Sequence, residues 1–179
     1  HLAAFEEMAA ALDGCVEVCV ISFLDLYQKV RRNFPEAQAV PAALRIRLGR
    51  EMARIAKSHH MRLKACAEGD ELAPYGVDCT GCMTMEVYEH ALHARLTPPP
   101  GTVHPGRKEC ACYLGGDIGA YDSCGHLCRY CYANSSPEAV RRNRRLHDPA
   151  SPFLIGGPLP GDEVRDARQE SWLDGQLHF

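Results

Sequence analysis

The sequence predicts an α/β fold: the C-terminal portion of a barrel-like βα domain followed by a cysteine-rich, loop-dominated cluster region. Two observations predict the first part. Apolar residues recur at helical spacing in some segments, and between them lie a β-branched apolar run and a run in which apolar residues alternate. Such alternation is typical of βα units around a parallel sheet. A third observation predicts the second part, because five of the ten cysteines in this 179-residue chain lie between Cys110 and Cys131.

Helices and strands are expected to alternate through the first half of the chain. Apolar residues at helical spacing predict a helix over Leu2–Leu12, and Gly14 is a suitable stop. The run "CVEVCVISFL" reads as a buried strand. "DLYQKVRRNF" predicts a short helix that ends before Pro35, and Pro41 opens a longer helix. "HMRLKACAE" is the second predicted strand, and "MTMEVYEHALHARL" is a further helix.

Three segments follow from this pattern. Residues 1–96 form the βα-repeat part of a truncated barrel-like domain, and residues 97–109 form a linker rich in proline and glycine. Residues 110–179 form the iron–sulfur cluster region, with the C-terminal helix "SSPEAVRRNRRLH" and a tail. Because the chain begins at His1, within what reads as an established fold, we expect a fragment whose N-terminal part is missing.

Composition and charge argue against several classes of function. The net charge of -3 argues against a generally nucleic-acid-binding surface. The longest apolar run, around residues 16–24, is too short to span a bilayer and carries Glu17. With no secretory leader recognised, we expect a cytoplasmic protein without a membrane partner. In that compartment, clustered thiols indicate metal or redox chemistry rather than disulfides.

The stretch "CGHLCRYCYAN" carries the most specific signal. Cys124, Cys128 and Cys131 have the spacing C-x3-C-x2-C, so a tight loop could wrap them around one iron–sulfur cluster. Three thiolates on a four-iron cluster leave one iron open, as a catalytic metal requires. The odd number of ligands and the aromatic residue before the third cysteine favour [4Fe-4S], with zinc as the alternative.

Two further cysteine patterns leave alternatives open. Cys110 and Cys112 form a C-x-C pair that could supply a fourth cluster ligand, bind a second metal or act as a redox pair. Cys79 and Cys82 form C-x2-C, followed by two histidines at 90 and 93, which resembles a zinc finger. The gap between those two pairs is shorter than usual, which favours loop cysteines and solvent-facing histidines.

The three-cysteine motif resembles the signature of radical S-adenosylmethionine enzymes. The resemblance implies that Cys124, Cys128 and Cys131 hold a [4Fe-4S] cluster, that S-adenosylmethionine chelates the fourth iron, and that Tyr130 occupies the usual aromatic position. It also implies an unknown substrate and an electron donor such as a flavodoxin or ferredoxin.

The wider stretch "CACYLGGDIGAYDSCGHLCRYCYAN" resembles an uncharacterised, mainly bacterial family, domain of unknown function 1848. "VCVISFLDLYQKVRRN" and "DPASPFLIGG" are also similar to that family, which is longer at its N-terminus. The segment "DIGAYDS" is part of the resemblance and implies a role in cofactor binding for Asp117 and Tyr121. The family carries its cysteine cluster near the C-terminus, whereas radical S-adenosylmethionine enzymes carry theirs near the N-terminus.

Three functional hypotheses follow. The first is a radical S-adenosylmethionine-like enzyme. The second is a non-catalytic iron–sulfur or zinc protein with a structural or electron-transfer role. In it, Cys110 or Cys112 is the fourth ligand and leaves no open coordination position. The third is nucleic-acid repair or modification, because "YCYAN" is similar to spore-photoproduct-lyase-like proteins and four arginines follow on one helix: Arg141, Arg142, Arg144 and Arg145.

Overall fold

A computed structural model describes residues 1–100, 102, 112–113, 119–166 and 170–173. The chain divides into two compact units. Unit 1 comprises His1–Phe23, Val40–Gly115 and Ser171–Phe179, and unit 2 comprises Leu24–Ala39 and Gly116–Glu170. In chain order the elements are α1 (Leu2–Leu12), β1 (Val18–Ile21), α2 (Gln28–Asn33), α3 (Ala42–Ser58), β2 (Arg62–Ala65), a short 3-10 helix (Ala73–Tyr75), α4 (Met85–Leu92) and α5 (Pro137–Arg145).

Unit 1 contains a parallel pair of strands. β1 pairs with β2 in a register that runs from Val18 opposite Arg62 to Ile21 opposite Ala65. Asp78 adds a single parallel bridge to Lys64 of β2. The prediction of helices combined with a parallel sheet is therefore confirmed.

The prediction of a barrel-like domain is not supported. Across the described ranges the sheet has two strands of four residues each, and no closed barrel is present. Closing a barrel requires a continuous ring of paired strands, and one bridging residue beside a two-stranded sheet does not provide it.

The core of unit 1 lies where α1, α3 and β2 meet. α1 and α3 pack on each other, and α3 also contacts β2. Apolar side chains from both helices, from β2 and from the following loop form one buried cluster, which contains Phe5, Ala9, Ile55, Ala56, Met61, Leu63, Ala65, Leu72 and Val77. This core anchors the carboxyl end of β2, where the first candidate site begins.

Unit 2 is dominated by turns and loops around α2 and α5. The Oγ atom of Ser136 caps α5 by accepting a hydrogen bond from the backbone N–H of Ala139 at 3.1 Å. Ala139 and Val140 of α5 and Val30 of α2 are buried. None of the described helices has the length and apolar character needed to cross a membrane.

Candidate metal centres

Three cysteine sulfurs converge in unit 1. The Sγ atom of Cys82 lies 3.2 Å from that of Cys66 and 3.3 Å from that of Cys112. All three sulfurs lie within 4.8 Å of one another. We call Cys66, Cys82 and Cys112 the thiol triad, and its sulfurs are close enough to bind one metal ion.

The end of β2 positions the first member of the triad. The backbone N–H of Cys66 donates to the carbonyl oxygen of Ile21 at 2.9 Å, so Cys66 continues the pairing of β2 with β1. The next residue, Ala67, has a φ of 57°, which turns the chain away from the sheet. Cys66 therefore lies at the carboxyl edge of the parallel pair, where α/β proteins commonly bind ligands.

The second and third members come from segments that pack beside this edge. Asp78 pairs with β2 through two backbone hydrogen bonds, and Gly81, with a φ of 113°, turns the chain before Cys82. The backbone N–H of Met83 donates to the sulfur of Cys112 at 3.3 Å. The N–H of Tyr113 donates in turn to the carbonyl oxygen of Met83 at 2.8 Å.

Burial governs the electrostatics of the triad. Cys112 is only 2% exposed, and the other two members are half-buried. Burial, together with the hydrogen bonds that Cys82 makes with both neighbouring thiols, raises the pKa of Cys82 to about 12. A metal ion could reverse this effect. It would displace the thiol proton of Cys82, and its positive charge would stabilise the resulting thiolate.

The predicted cluster ligands lie in unit 2, on a segment that we call the cysteine turn, residues 122–136. Cys124 and Cys128 are exposed, and Cys131 is half-buried. The N–H of Cys131 donates to the carbonyl oxygen of Cys128 at 2.9 Å. Among the described residues, close mutual approach of sulfurs is found for the thiol triad and not for these three. A four-iron cluster is larger than a single ion, so its ligands need not approach so closely.

Side-chain hydrogen bonds hold the cysteine turn in shape. The carboxylate of Asp122 accepts from the backbone N–H of Ser135 and, at 2.8 Å, from its hydroxyl group. These bonds lower the pKa of Asp122. The amide of Asn143 on α5 donates to the carbonyl oxygen of Asp122 at 3.2 Å. The amide of Asn134 donates to the carbonyl oxygen of Cys124 at 2.9 Å.

A cavity of about 370 Å³ lies beside the cysteine turn. Its lining includes Cys128, Cys131, Arg129 and Asn134. Asn134 is 8% exposed, and its Oδ1 atom is a buried acceptor without a hydrogen-bond partner among the described residues. Buried polar atoms are normally paired, and because less than 1 Å² of this oxygen is accessible, a group bound in the cavity would reach it only after the side chain moved.

The remaining predicted site residues are distributed as follows. Tyr130 and Tyr121 are 56% and 65% exposed, and the ring of Tyr121 lies 6.4 Å from that of Tyr132. Asp117 and Cys110 lie outside the described residues. Of the four arginines on α5, Arg144 reaches the cysteine turn: a methyl group added at Gly125 would lie 3.2 Å from its Nη1 atom.

Cys79 and Cys82, the two cysteines of the zinc-finger pattern, do not both belong to the thiol triad. Cys82 belongs to the thiol triad, whereas the sulfur of Cys79 donates to the carbonyl oxygen of Val77 at 3.7 Å. The rings of His90 and His93 lie 6.3 Å apart, and His90 is 3.5 Å from a carboxylate oxygen of Glu17.

Sequence reasoning did not select Cys66 and Cys82 as metal ligands. The available signals were weak: Cys66 directly follows a predicted strand, and Cys82 is half of a C-x2-C pair. Cys112 was predicted to bind metal, and it lies with these two thiols in unit 1.

The comparisons with known proteins bear on both groups of cysteines. The family model described as "Domain of unknown function (DUF1848)" matches residues 1–133. The chain belongs to this family. No curated protein and no solved structure matches the chain. The match of the DUF1848 family includes the whole thiol triad and all three cysteines of the cysteine turn.

Proposed function

We propose that this DUF1848 protein binds a [4Fe-4S] cluster on Cys124, Cys128 and Cys131 and acts as a radical S-adenosylmethionine-like enzyme in the cytoplasm. The observation that carries the proposal is the cysteine turn, which offers three thiols at C-x3-C-x2-C spacing beside a cavity. Three thiolates leave one iron for another ligand, and the adjoining cavity provides space for that ligand.

The donor set fits an iron–sulfur cluster. Thiolates are its usual ligands, and cluster assembly needs thiols that iron and sulfide can reach. Cys124 and Cys128 meet this need because they are exposed, while Cys131 is half-buried beside the cavity. The hydrogen bonds of Asp122 and Asn134 order the backbone around these thiols in advance.

The cavity and two nearby tyrosines are the candidate contacts for S-adenosylmethionine. The rings of Tyr121 and Tyr130 do not line this cavity, but they are exposed and close in sequence to the turn thiols, so they offer faces on which a base can stack. Arg129 also lines the cavity, but its guanidinium group is paired with the carboxylate of Glu36 at 2.5 Å, so a cofactor carboxylate would have to compete with Glu36 for it. In this proposal, S-adenosylmethionine contacts Tyr121 and Tyr130, and Asp117 is a further candidate contact.

The bound cluster would supply the one-electron reduction that cleaves S-adenosylmethionine and yields a radical for hydrogen abstraction. The protein groups have simpler tasks: the turn thiolates fix the cluster, Asn134 holds the backbone at Cys124, and the cavity positions the cofactor beside the cluster. A reducing partner such as a flavodoxin or ferredoxin would provide the electron.

Anaerobic reconstitution with iron and sulfide tests the proposal. We expect about four irons and four sulfides per chain, and loss of most of both in Cys124→Ser, Cys128→Ser and Cys131→Ser. Cys15→Ser is the matched control, because Cys15 is equally exposed but lies between α1 and β1. An iron–sulfur content that is unchanged in the three turn variants would overturn the proposal.

A further inference from the structure

We propose that the thiol triad is a second metal centre, which binds a single zinc ion and cross-links three segments of unit 1. The inference does not depend on the iron–sulfur proposal, because it concerns Cys66, Cys82 and Cys112 rather than the cysteine turn.

The separations between the sulfurs fit a single ion. A tetrahedral zinc site has Zn–S bonds of about 2.3 Å, so its sulfurs stand about 3.8 Å apart. In the triad the sulfur of Cys82 lies 3.2 and 3.3 Å from the other two sulfurs, and no pair exceeds 4.8 Å. An ion placed between the sulfurs would therefore require changes of up to about 1 Å in these separations.

A disulfide explains the triad less well. A disulfide joins two sulfurs at about 2.05 Å and would exclude the third. Here Cys82 is nearly equidistant from Cys66 and Cys112, so the geometry selects no pair. Three sulfurs around a common centre are typical of metal ligation.

The chemistry of the donors favours zinc among single ions. Soft thiolates select zinc, copper(I) or iron–sulfur clusters, and zinc prefers the tetrahedral arrangement. The N–H of Met83, which donates to the sulfur of Cys112, would stabilise that sulfur as a thiolate. Three thiolates leave the fourth position to an exchangeable donor such as water.

The segments joined by the triad suggest what the ion does. Cys66 and Cys82 are 16 residues apart, and Cys82 and Cys112 are 30 residues apart. Fixing these points together restricts the unfolded chain much as a disulfide does. The zinc ion would thus hold the loops on the carboxyl edge of the parallel strands.

Zinc binding can be measured without interference from the cysteine turn. The test uses the full chain with Cys124, Cys128 and Cys131 all changed to Ser, kept reduced and anaerobic, and stripped with a chelator. Zn²⁺ is then titrated against a chromophoric chelator, and Co²⁺ is titrated in parallel to detect thiolate-to-metal charge transfer. We expect one ion per chain, and an increase in melting temperature when zinc is added.

Variants decide whether the triad holds that ion. Cys66→Ser, Cys82→Ser and Cys112→Ser should each weaken zinc binding by about 100-fold or more and reduce the charge-transfer band. Cys79→Ser is the matched control, because Cys79 is half-buried in the same unit and forms the C-x2-C pair with Cys82. Its zinc affinity should be unchanged.

Three results would overturn the inference: no stoichiometric zinc in the unsubstituted triad, equal loss in Cys79→Ser, or a disulfide between triad members in the anaerobic protein. The unsubstituted chain, which contains all ten cysteines, is titrated in parallel and must also bind zinc in the triad, so poor folding of a variant cannot rescue the proposal. Failure here would leave the iron–sulfur proposal intact, since the turn cysteines are absent from the triply substituted chain.

Discussion

The ammonium group of Lys64 lies 2.7 Å from the carboxylate of Asp78, and the Lys64 side chain is only 2% exposed. The hydroxyl group of Thr80 lies 3.4 Å from the same nitrogen. This buried ion pair fastens the segment that leads to Cys82 onto β2, which ends just before Cys66. The ion pair thus helps to bring two of the triad thiols together.

Removing the acid from this pair should destabilise the chain strongly. In Asp78→Asn the buried ammonium group of Lys64 loses its counter-charge, and we expect a loss of roughly 3 kcal/mol in the free energy of unfolding. Denaturant unfolding measures it. Glu71→Gln is the matched control, because its ion pair with Arg45 has a similar length, 2.8 Å, but is partly exposed. It should cost less than about 1 kcal/mol. Equal effects of the two substitutions would contradict this account.

The same pair should make the chain sensitive to acid. Burial opposes ionisation of Asp78, but the hydrogen bonds from Lys64 and Thr80 outweigh it and lower the pKa from 3.8 to about 2. Because the folded state binds this proton more weakly than the unfolded state, the stabilisation is full above pH 4 and is lost as the pH falls towards 2. The loss amounts to about 2 kcal/mol.

Unfolding measured at several pH values tests this acid sensitivity. The slope of the unfolding free energy between pH 4 and pH 2 should be smaller in Asp78→Asn than in the parent chain, because the amide does not titrate. Identical slopes in the two proteins would show that other carboxylates cause the acid sensitivity.

Gly49 of α3 should resist substitution despite its helical position. Alanine is normally about 1 kcal/mol better than glycine inside a helix. Here a Cβ atom would lie 2.6 Å from the Cδ2 atom of Leu72, whose side chain is 2% exposed and has little room to move. Overpacking costs about 1–3 kcal/mol, so Gly49→Ala should be destabilising by about 1 kcal/mol.

A double-mutant cycle isolates this contact. In a Leu72→Ala background the clash disappears, and Gly49→Ala should then stabilise the chain. If Gly49→Ala stabilises the parent chain as well, the contact with Leu72 is not restrictive.

Asn134 should control how long the proposed cluster survives. Asn134→Ala removes the hydrogen bond to the carbonyl oxygen of Cys124, which is worth about 1 kcal/mol, so we expect cluster loss in air to be about fivefold faster. The visible absorbance of the reconstituted chain follows this decay. Asn33→Ala is the control, because Asn33 lines the same cavity but is exposed. Equal decay rates in the two variants would show that Asn134 has no specific effect on the survival of the cluster.

Local sequence patterns predicted the local structure well. The apolar spacing over Leu2–Leu12 and the start at Pro41 correspond to α1 and α3, and the β-branched run and the alternating run each contain a strand. These elements depend on side chains that are close in sequence. The barrel prediction failed because it extrapolated from two short strands to a closed sheet, and the number of strands in a sheet is a long-range property.

The thiol triad and the buried ion pair could not be predicted from the sequence, because both depend on contacts between residues that are distant in sequence. Alternation along β2 predicts Lys64 on the solvent side, but Asp78, 14 residues later, returns to cover it. The same return, with the turn at Gly81, carries Cys82 to Cys66 and away from its sequence partner Cys79. In contrast, the cysteine turn was recognisable because its three cysteines lie within eight residues of sequence.

The central claim is that the cysteine turn holds a four-iron cluster with one iron open to S-adenosylmethionine. Electron paramagnetic resonance of the reduced, reconstituted chain, recorded with and without S-adenosylmethionine, tests it most directly. We predict a [4Fe-4S] signal that changes when the cofactor is added and is lost in Cys128→Ser. A [4Fe-4S] signal that is indifferent to the cofactor would contradict the open iron and indicate a closed cluster.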